Sequence, residues 1–208
     1  MPNDFRHVLL TNSSHCEFNY KMTKFIQFCN HISQLDTDAS EDLSKVFNAR
    51  IFRKGDYLLR ADEICKHIYF IEEGLTKLYF NKGDKEFIMT FFRENMMFTE
   101  LNGYLTNGYS KYMVLALETT TVQFARQEEI EKLSKSYHCI ETLFRRQFSM
   151  AALNIMKRIT EMLEENATTR YNNFLKDNNS LLQRISLGDL ANYLGITQVS
   201  LSRIQASL

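Results

Sequence analysis

Five side chains near the end of the sequence, Thr197, Gln198, Val199, Ser202 and Arg203, have the types and spacing of groups that read a nucleic-acid surface. Steps of one, three and four residues put the last four on one side of a helix, and Thr197 can cap its first turn. An arginine can hold O6 and N7 of guanine with two parallel hydrogen bonds. A glutamine can read adenine, and a valine offers only apolar contact, for example with a thymine methyl. Upstream, Ser186 can cap a shorter helix with Asp189 closing a capping box, and Gly195 supplies the backbone freedom for a turn. Leu190, Ala191, Leu194, Ile196, Leu201 and Ile204 fall where two steeply crossing helices bury them against each other. The pattern predicts a helix-turn-helix whose second helix enters a major groove, although an ordinary two-helix hairpin has the same spacing.

Little else in the chain suggests chemistry. No nucleophile-and-base spacing, glycine-rich phosphate loop or metal-ligand constellation is present, so the sequence argues against an enzyme, a metal site and a bound cofactor. Cys16, Cys29, Cys65 and Cys139 are scattered, which predicts buried thiols. Cys16 and Cys29, flanked by His15 and His31, fit neither a zinc ribbon nor an iron–sulfur run. Apolar residues at 44% and charged residues at 24% describe an ordinary globular chain. No run approaches the roughly 20 apolar residues of a membrane span, and the start lacks a secretory pattern, so a cytoplasmic protein is expected. Net charge is zero, but residues 145–208 carry 8 basic against 5 acidic side chains, leaving 17 against 20 before them. A weakly basic C-terminal part predicts weak DNA binding by one copy and a need for dimerisation.

The elements that must position this reading head are legible upstream. Residues 1–21 read as a polar extension without assigned function, with Met22 an alternative start. Two packing helices follow, carrying Phe25, Phe28, Cys29, Ile32 and Leu35, then Leu43, Val46 and Phe47. From Ala49 to Phe124, short alternating runs separated by glycine turns predict about seven antiparallel strands in a barrel or jelly roll. They are placed near Ala49–Arg53, Tyr57–Leu59, His67–Glu72, Gly74–Asn81, Glu86–Phe92, Tyr112–Ala116 and Thr121–Ala125. Phe98 to Tyr112 is a long connection with a short helix around Glu100–Tyr104, packed down by Tyr104, Tyr109 and Tyr112. A long helix at about Ile140–Glu165 carries an apolar seam, Ile140, Phe144, Phe148, Ala151, Ile155, Ile159 and Met162. A second row, Leu143, Met150, Leu153, Met156 and Leu163, exceeds what one neighbour requires and predicts a dimer seam, the alternative being a helix buried within its own subunit. Arg170, Lys176 and Arg184 are candidate phosphate contacts.

The order of barrel, irregular cassette, long helix and helix-turn-helix resembles the Crp/Fnr family of bacterial transcription regulators. The resemblance rests most specifically on Arg170–Ile204, R-Y-N-N-F-L-K-D-N-N-S-L-L-Q-R-I-S-L-G-D-L-A-N-Y-L-G-I-T-Q-V-S-L-S-R-I. Lys54–Phe80, K-G-D-Y-L-L-R-A-D-E-I-C-K-H-I-Y-F-I-E-E-G-L-T-K-L-Y-F, carries the rest. It implies an α+β fold. An N-terminal antiparallel β-barrel or jelly roll, similar to cyclic-nucleotide-binding domains, is followed by a dimerisation helix and a C-terminal winged-type helix-turn-helix. The expected boundaries are 1–21 extension, 22–135 sensory barrel, 136–166 dimerisation helix and 167–208 DNA-binding domain. Implied partners are a pseudo-palindromic double-stranded operator, a second copy of the chain, RNA polymerase and an unknown small-molecule effector, with no membrane.

Departures from the family pattern limit what carries over. Members that bind cyclic AMP have a Gly-Glu pair whose glutamate holds the ribose and, about ten residues on, an arginine that neutralises the cyclic phosphate. Here Thr99-Glu100-Leu101 keeps the glutamate, but the later stretch reads Tyr109-Ser110-Lys111-Tyr112, with no arginine from Phe98 to Phe124. Lys111 supplies charge without the bidentate fork, so no tight cyclic AMP binding is expected, and the pocket marked by Glu100, Leu101, Ser110, Lys111 and Tyr112 is vestigial, filled by tyrosines, or adapted to another ligand. Cys16 and Cys29 do not supply the cysteine cluster of oxygen-sensing members. Where the family has an Arg-Glu start and an arginine one turn later, the head holds Gln198, Val199 and Arg203; the later arginine is kept and the start is changed, which implies a different half-site. The alternative is a ligand- or protein-sensing module whose degenerate head no longer reads DNA.

Overall fold

The computed structural model describes residues 24–207. The predicted extension, Cys16 and Met22 lie outside the described residues. Helix α1 (residues 24–32) turns Phe25 and Cys29 inward. Helix α2 (Thr37–Val46) is capped by Asp36, which accepts the Ala39 amide at 2.8 Å, and buries Ala39 and Leu43. Eight strands follow: β1 (Asn48–Phe52), β2 (Tyr57–Leu59), β3 (His67–Glu73), β4 (Thr76–Lys82), β5 (Lys85–Phe92), β6 (Met96–Phe98), β7 (Met113–Ala116) and β8 (Thr120–Arg126). They form two four-stranded antiparallel sheets, ordered β1-β8-β3-β6 and β2-β7-β4-β5. The seven expected strands start within two residues of their predicted positions. β6 escapes prediction because three residues, Met96–Phe98, are too short to show alternation.

Helix α3 (Leu101–Thr106) interrupts the strands between β6 and β7. After β8 come α4 (Gln127–Ser136), α5 (His138–Glu164), α6 (Ala167–Asn178), a 3-10 turn (Asn179–Leu181), α7 (Leu187–Leu194) and α8 (Gln198–Ala206). Strand and helix periodicities sort the apolar side chains into three cores. Between the sheets lie Phe52, Leu59, Tyr69, Ile71, Phe98, Val114 and Val122. The opposite face of β3 and β8 turns Ile68, Phe70 and Ala125 onto α1, α2, α4 and the start of α5. The third core lies on the outer face of β4 and β5, where Leu75, Tyr79, Ile88 and Phe91 meet Tyr171, Phe174, Leu190, Ala191, Leu194 and Leu201 of the C-terminal helices.

Ile88 and Phe91 are three residues apart yet share that face. The pairing explains it: Leu78 faces Thr90 while Tyr79 faces Ile88, so Met89 is an extra residue in β5. A bulge of this kind shifts the alternation by one and lets both large side chains point at the helices.

Two expectations are corrected. Residues 167–207 contain helices and turns but no strand, so the head is not of the winged type among the described residues. The α5 seam is also not one surface. Ile140 and Phe144 are buried, and Phe148 packs, in the chain's own core. Met150, Leu153, Ile155, Met156, Ile159, Met162 and Leu163 are exposed, Leu163 at 80%. Ala151 is half-buried at the changeover.

Gly74 is the tightest point of the barrel. Its φ is +103°, and a Cβ there would lie 2.6 Å from the Thr120 Cα, which belongs to backbone and cannot move aside. Gly74→Ala should therefore cost at least about 2–3 kcal/mol, read as a lowered urea midpoint with an unchanged m-value.

Candidate nucleic-acid interface and effector cassette

The C-terminal helix pair is built by local chemistry. Ser186 caps α7, its Oγ accepting the Asp189 amide at 2.9 Å and donating to Asp189 Oδ2 at 2.6 Å. Gly195 ends α7 at φ +68°, a left-handed conformation that glycine adopts without a Cβ penalty. A Cβ there would also meet the Met162 Cε at 2.8 Å, so the end of α5 rests against this turn. Thr197 then caps α8, its hydroxyl accepting the Ser200 amide at 3.1 Å. Leu201 is fully buried and Ile204 partly so.

That burial leaves Thr197, Gln198, Val199, Ser202 and Arg203 together on the exposed side of α8. Val199, an apolar side chain, is 61% exposed. The Gln198 amide nitrogen leans back over α7, where a Cβ on Gly188 would lie 2.9 Å from it. Arg203 stands one turn further along the same face.

Arg184 is placed elsewhere. Nη2 donates to Glu94 Oε1 at 2.7 Å and to Glu118 Oε1 at 2.6 Å, Nη1 to Glu94 Oε2 at 3.0 Å, and Nε to Glu118 Oε2 at 3.3 Å. The guanidinium is thus held in two forks by the β5–β6 and β7–β8 turns. These hydrogen bonds raise the Arg184 pKa further. Arg170 caps carbonyls of Leu194 and Glu165, while Lys176 is exposed.

A second ionic contact joins head to barrel. Lys77, 8% exposed in its side chain, donates from Nζ to Asp189 at 2.7 Å and Glu86 at 2.8 Å. Burial alone would lower its pKa, but the two carboxylates outweigh it and raise the value. The Asn192 amide donates to the same Glu86 at 3.4 Å. Nothing in the spacing of Lys77, Glu94 or Glu118 announces their contacts with Asp189 and Arg184, because those partners are 66 to 112 residues away, whereas Lys77 and Glu86 are nine apart.

The predicted effector residues lie in the segment between β6 and β7. Glu100 is buried and caps α3, accepting the amides of Asn102 at 2.9 Å and Gly103 at 2.8 Å. Both carboxylate oxygens are therefore engaged by the amides that an anionic ligand would need. Gly103 lets α3 lie against the backbone of Cys65, where a Cβ would stand 2.9 Å from the Cys65 nitrogen. Ser110 is buried and ties the far end down, donating its amide to Glu63 at 2.9 Å and accepting that of Asp62 at 2.8 Å. Leu101 and Tyr112 are half-buried. Lys111 is exposed, its Nζ 5.4 Å and 5.1 Å from the ring centres of Phe80 and Tyr112. Tyr104 is buried as expected, but Tyr109 is 73% exposed and holds nothing down. Between the sheets, Phe92 and Phe98 stack with ring centres 3.9 Å apart, and Tyr69 stacks on Phe98 at 5.3 Å. Rings therefore fill much of the inter-sheet space.

Cys29 and Cys65 are buried free thiols and Cys139 is half-buried. Among the described residues no group of histidine, cysteine and carboxylate side chains could hold a metal, and no helix is long and apolar enough to cross a membrane.

Asp189 gives a pH test of the docking. Burial works to raise its pKa, but the hydrogen bonds from Lys77 and Ser186 prevail and hold it below the ordinary carboxylate range. Its contribution is thus present above about pH 4 and lost as pH falls through the lowered folded value. Asp189→Asn should lower stability at pH 7 by about 1–3 kcal/mol, Glu86 still sharing Lys77. In thermal unfolding the gap to wild type should close as the pH is taken below about 4.

Comparison with known proteins fits this geometry. Residues 49–137 match the family model of the cyclic nucleotide-binding domain. No curated protein sequence matches the chain. Among solved structures, the c-di-GMP responsive global regulator CLP of Xanthomonas campestris superposes with a TM-score of 0.68 at 14% identity, over 83% of this chain and 91% of that one. FixK2 from Bradyrhizobium japonicum gives 0.67 at 20% identity, over 78% and 84%. A candidate transcriptional regulator of the crp/fnr family from Eubacterium rectale gives 0.65 at 15% identity, over 82% of each chain. At these identities the likeness is one of fold. Residues 49–137 are thus similar to a cyclic nucleotide-binding domain, and the chain shares its overall fold with these solved structures.

Proposed function

We propose that this chain is a homodimeric, sequence-specific DNA-binding transcription regulator, not an enzyme, whose sensory domain responds to a small molecule other than cyclic AMP. The observation that carries the reading is the exposed face of α8. Gln198, Val199, Ser202 and Arg203 line it while Leu201 and Ile204 are turned into the core, the arrangement of a recognition helix. In this reading Arg203 reads guanine, Gln198 reads adenine, and Val199 meets a thymine methyl. α7 and α8 act as a helix-turn-helix, with RNA polymerase the downstream partner.

The exposed half of α5 supports the dimer. Seven large apolar side chains from Met150 to Leu163 remain outside every core of one copy, and a helix of a second copy would remove them from water. The cassette supports an effector other than cyclic AMP. The Glu100 carboxylate already takes the first amides of α3, and Lys111 lies over aromatic rings where the family pattern has an arginine fork.

Selection from a randomised DNA pool at about 0.1 M salt should enrich two half-sites spaced by one helical turn. Arg203→Ala should weaken binding to the selected site about 10- to 100-fold and relax the preference at one base pair. A pool left unenriched with and without cyclic nucleotides would sink the DNA reading, and enrichment only with cyclic AMP would sink the claim about the effector. Light scattering should give a dimer at micromolar concentration, and Ile155→Glu/Ile159→Glu should give a monomer. A wild-type monomer would refute the α5 interface.

A further inference from the structure

Arg184 is a cation on the head whose partners all lie on the barrel. It stands two residues before Ser186, the cap of α7, which is the helix that crosses the DNA backbone in a helix-turn-helix. Its two partners come from neighbouring turns at one end of the barrel. Glu94 is fixed there by the Gly74 amide, which donates to its Oε1 at 2.9 Å. Glu118 stands in the turn just before Thr120, whose hydroxyl is bonded to the Leu75 backbone. The carboxylates are therefore mounted on the tightest reversal in the barrel.

We infer that Arg184 is an exchangeable clamp: it holds the head on the barrel through Glu94 and Glu118, and on release it becomes a phosphate contact that strengthens DNA binding. The inference rests on the DNA-reading function proposed for α7 and α8. The charge inventory of the head favours it. In residues 167–207 the basic side chains are Arg170, Lys176, Arg184 and Arg203. Arg170 is committed to two carbonyls and Arg184 to two carboxylates, which leaves Lys176 and Arg203 exposed. Because phosphate contacts carry most of the affinity of such a head, one released arginine is a large fraction of what it has. The exchange is also chemically even-handed, since a phosphate offers the guanidinium the same bidentate fork that each carboxylate now supplies. The four hydrogen bonds lie at the border of solvent, with the Arg184 side chain 25% exposed and the two carboxylates 33% and 37%, so a competing anion can reach them.

Glu94→Gln/Glu118→Gln tests this in the full chain, with Arg184→Gln as comparator. Glu118→Gln alone serves as a milder variant that leaves the Glu94 contact to Gly74 intact. Amide hydrogen exchange at α7 and β5 reports docking without DNA, and titration of the selected operator across salt reports phosphate contacts. The expected result is faster exchange in all three variants. The glutamate variants should bind DNA several-fold more tightly, with a salt slope steeper by about 0.9 per half-site, whereas Arg184→Gln should gain neither. Unchanged exchange in the variants overturns the clamp. Faster exchange with unaltered affinity, or an equal gain in Arg184→Gln, overturns the exchange of partners. If neither wild type nor any variant binds DNA, the regulator reading falls and the phosphate role of Arg184 with it, and exchange still reports the docking contact separately.

Discussion

Strand β4 is buried on both faces, and most of the molecule depends on how it resolves that. Leu78 turns toward the space between the sheets, while Leu75, Lys77 and Tyr79 turn outward under the C-terminal helices. An outward lysine in such a place costs its hydration unless carboxylates replace the water, and Asp189 and Glu86 do so from opposite elements. Asp189 is at the same time the closing residue of the α7 cap. One side chain therefore links the start of α7 to the middle of the sheet, beside the Asn192–Glu86 hydrogen bond and the apolar contacts of the outer core. The Met89 bulge completes the fit by turning Ile88 and Phe91 to the same side.

The cassette and the head thus share one layer of backbone. Side chains on the inner face of β4 and β7 belong to the barrel interior, and those on the outer face belong to the head's core. Tyr69, Phe92 and Phe98 stack on the inner side, and Glu100 caps α3 beside them. Ser110 and Gly103 bind the two ends of the cassette to the loop between β2 and β3, so the segment is anchored despite its lack of strands. Such anchoring is what a binding loop needs in order to present fixed groups.

Helix α5 divides its apolar surface between two roles. The first turns complete the core beneath β3 and β8, and the later turns expose most of their large apolar side chains. At the far end Met162 lies against the Gly195 turn, so the helix reaches from the barrel core to the turn between α7 and α8. A helix of 27 residues spans about 40 Å at 1.5 Å per residue, enough to connect the two without an intervening joint.

What the sequence determined by itself was everything local in origin. Strand positions followed from alternation and glycine turns, and the caps at Ser186, Thr197 and Gly195 from side chains acting within three or four residues. The exposed face of α8 followed from the helical period. These depend on interactions whose range is a single turn of chain. Tertiary structure decided the rest. Whether Ile140 or Ile155 faces the core cannot be read from a seam in which both recur at the same period. Arg184 carries the same charge whether it meets a phosphate or Glu94 and Glu118, and only the approach of two barrel turns selects the carboxylates. Strand β6 and the Lys77–Asp189 pair belong to the same class. Each exists because a distant segment supplies the partner, and periodicity within one segment carries no information about who that partner is.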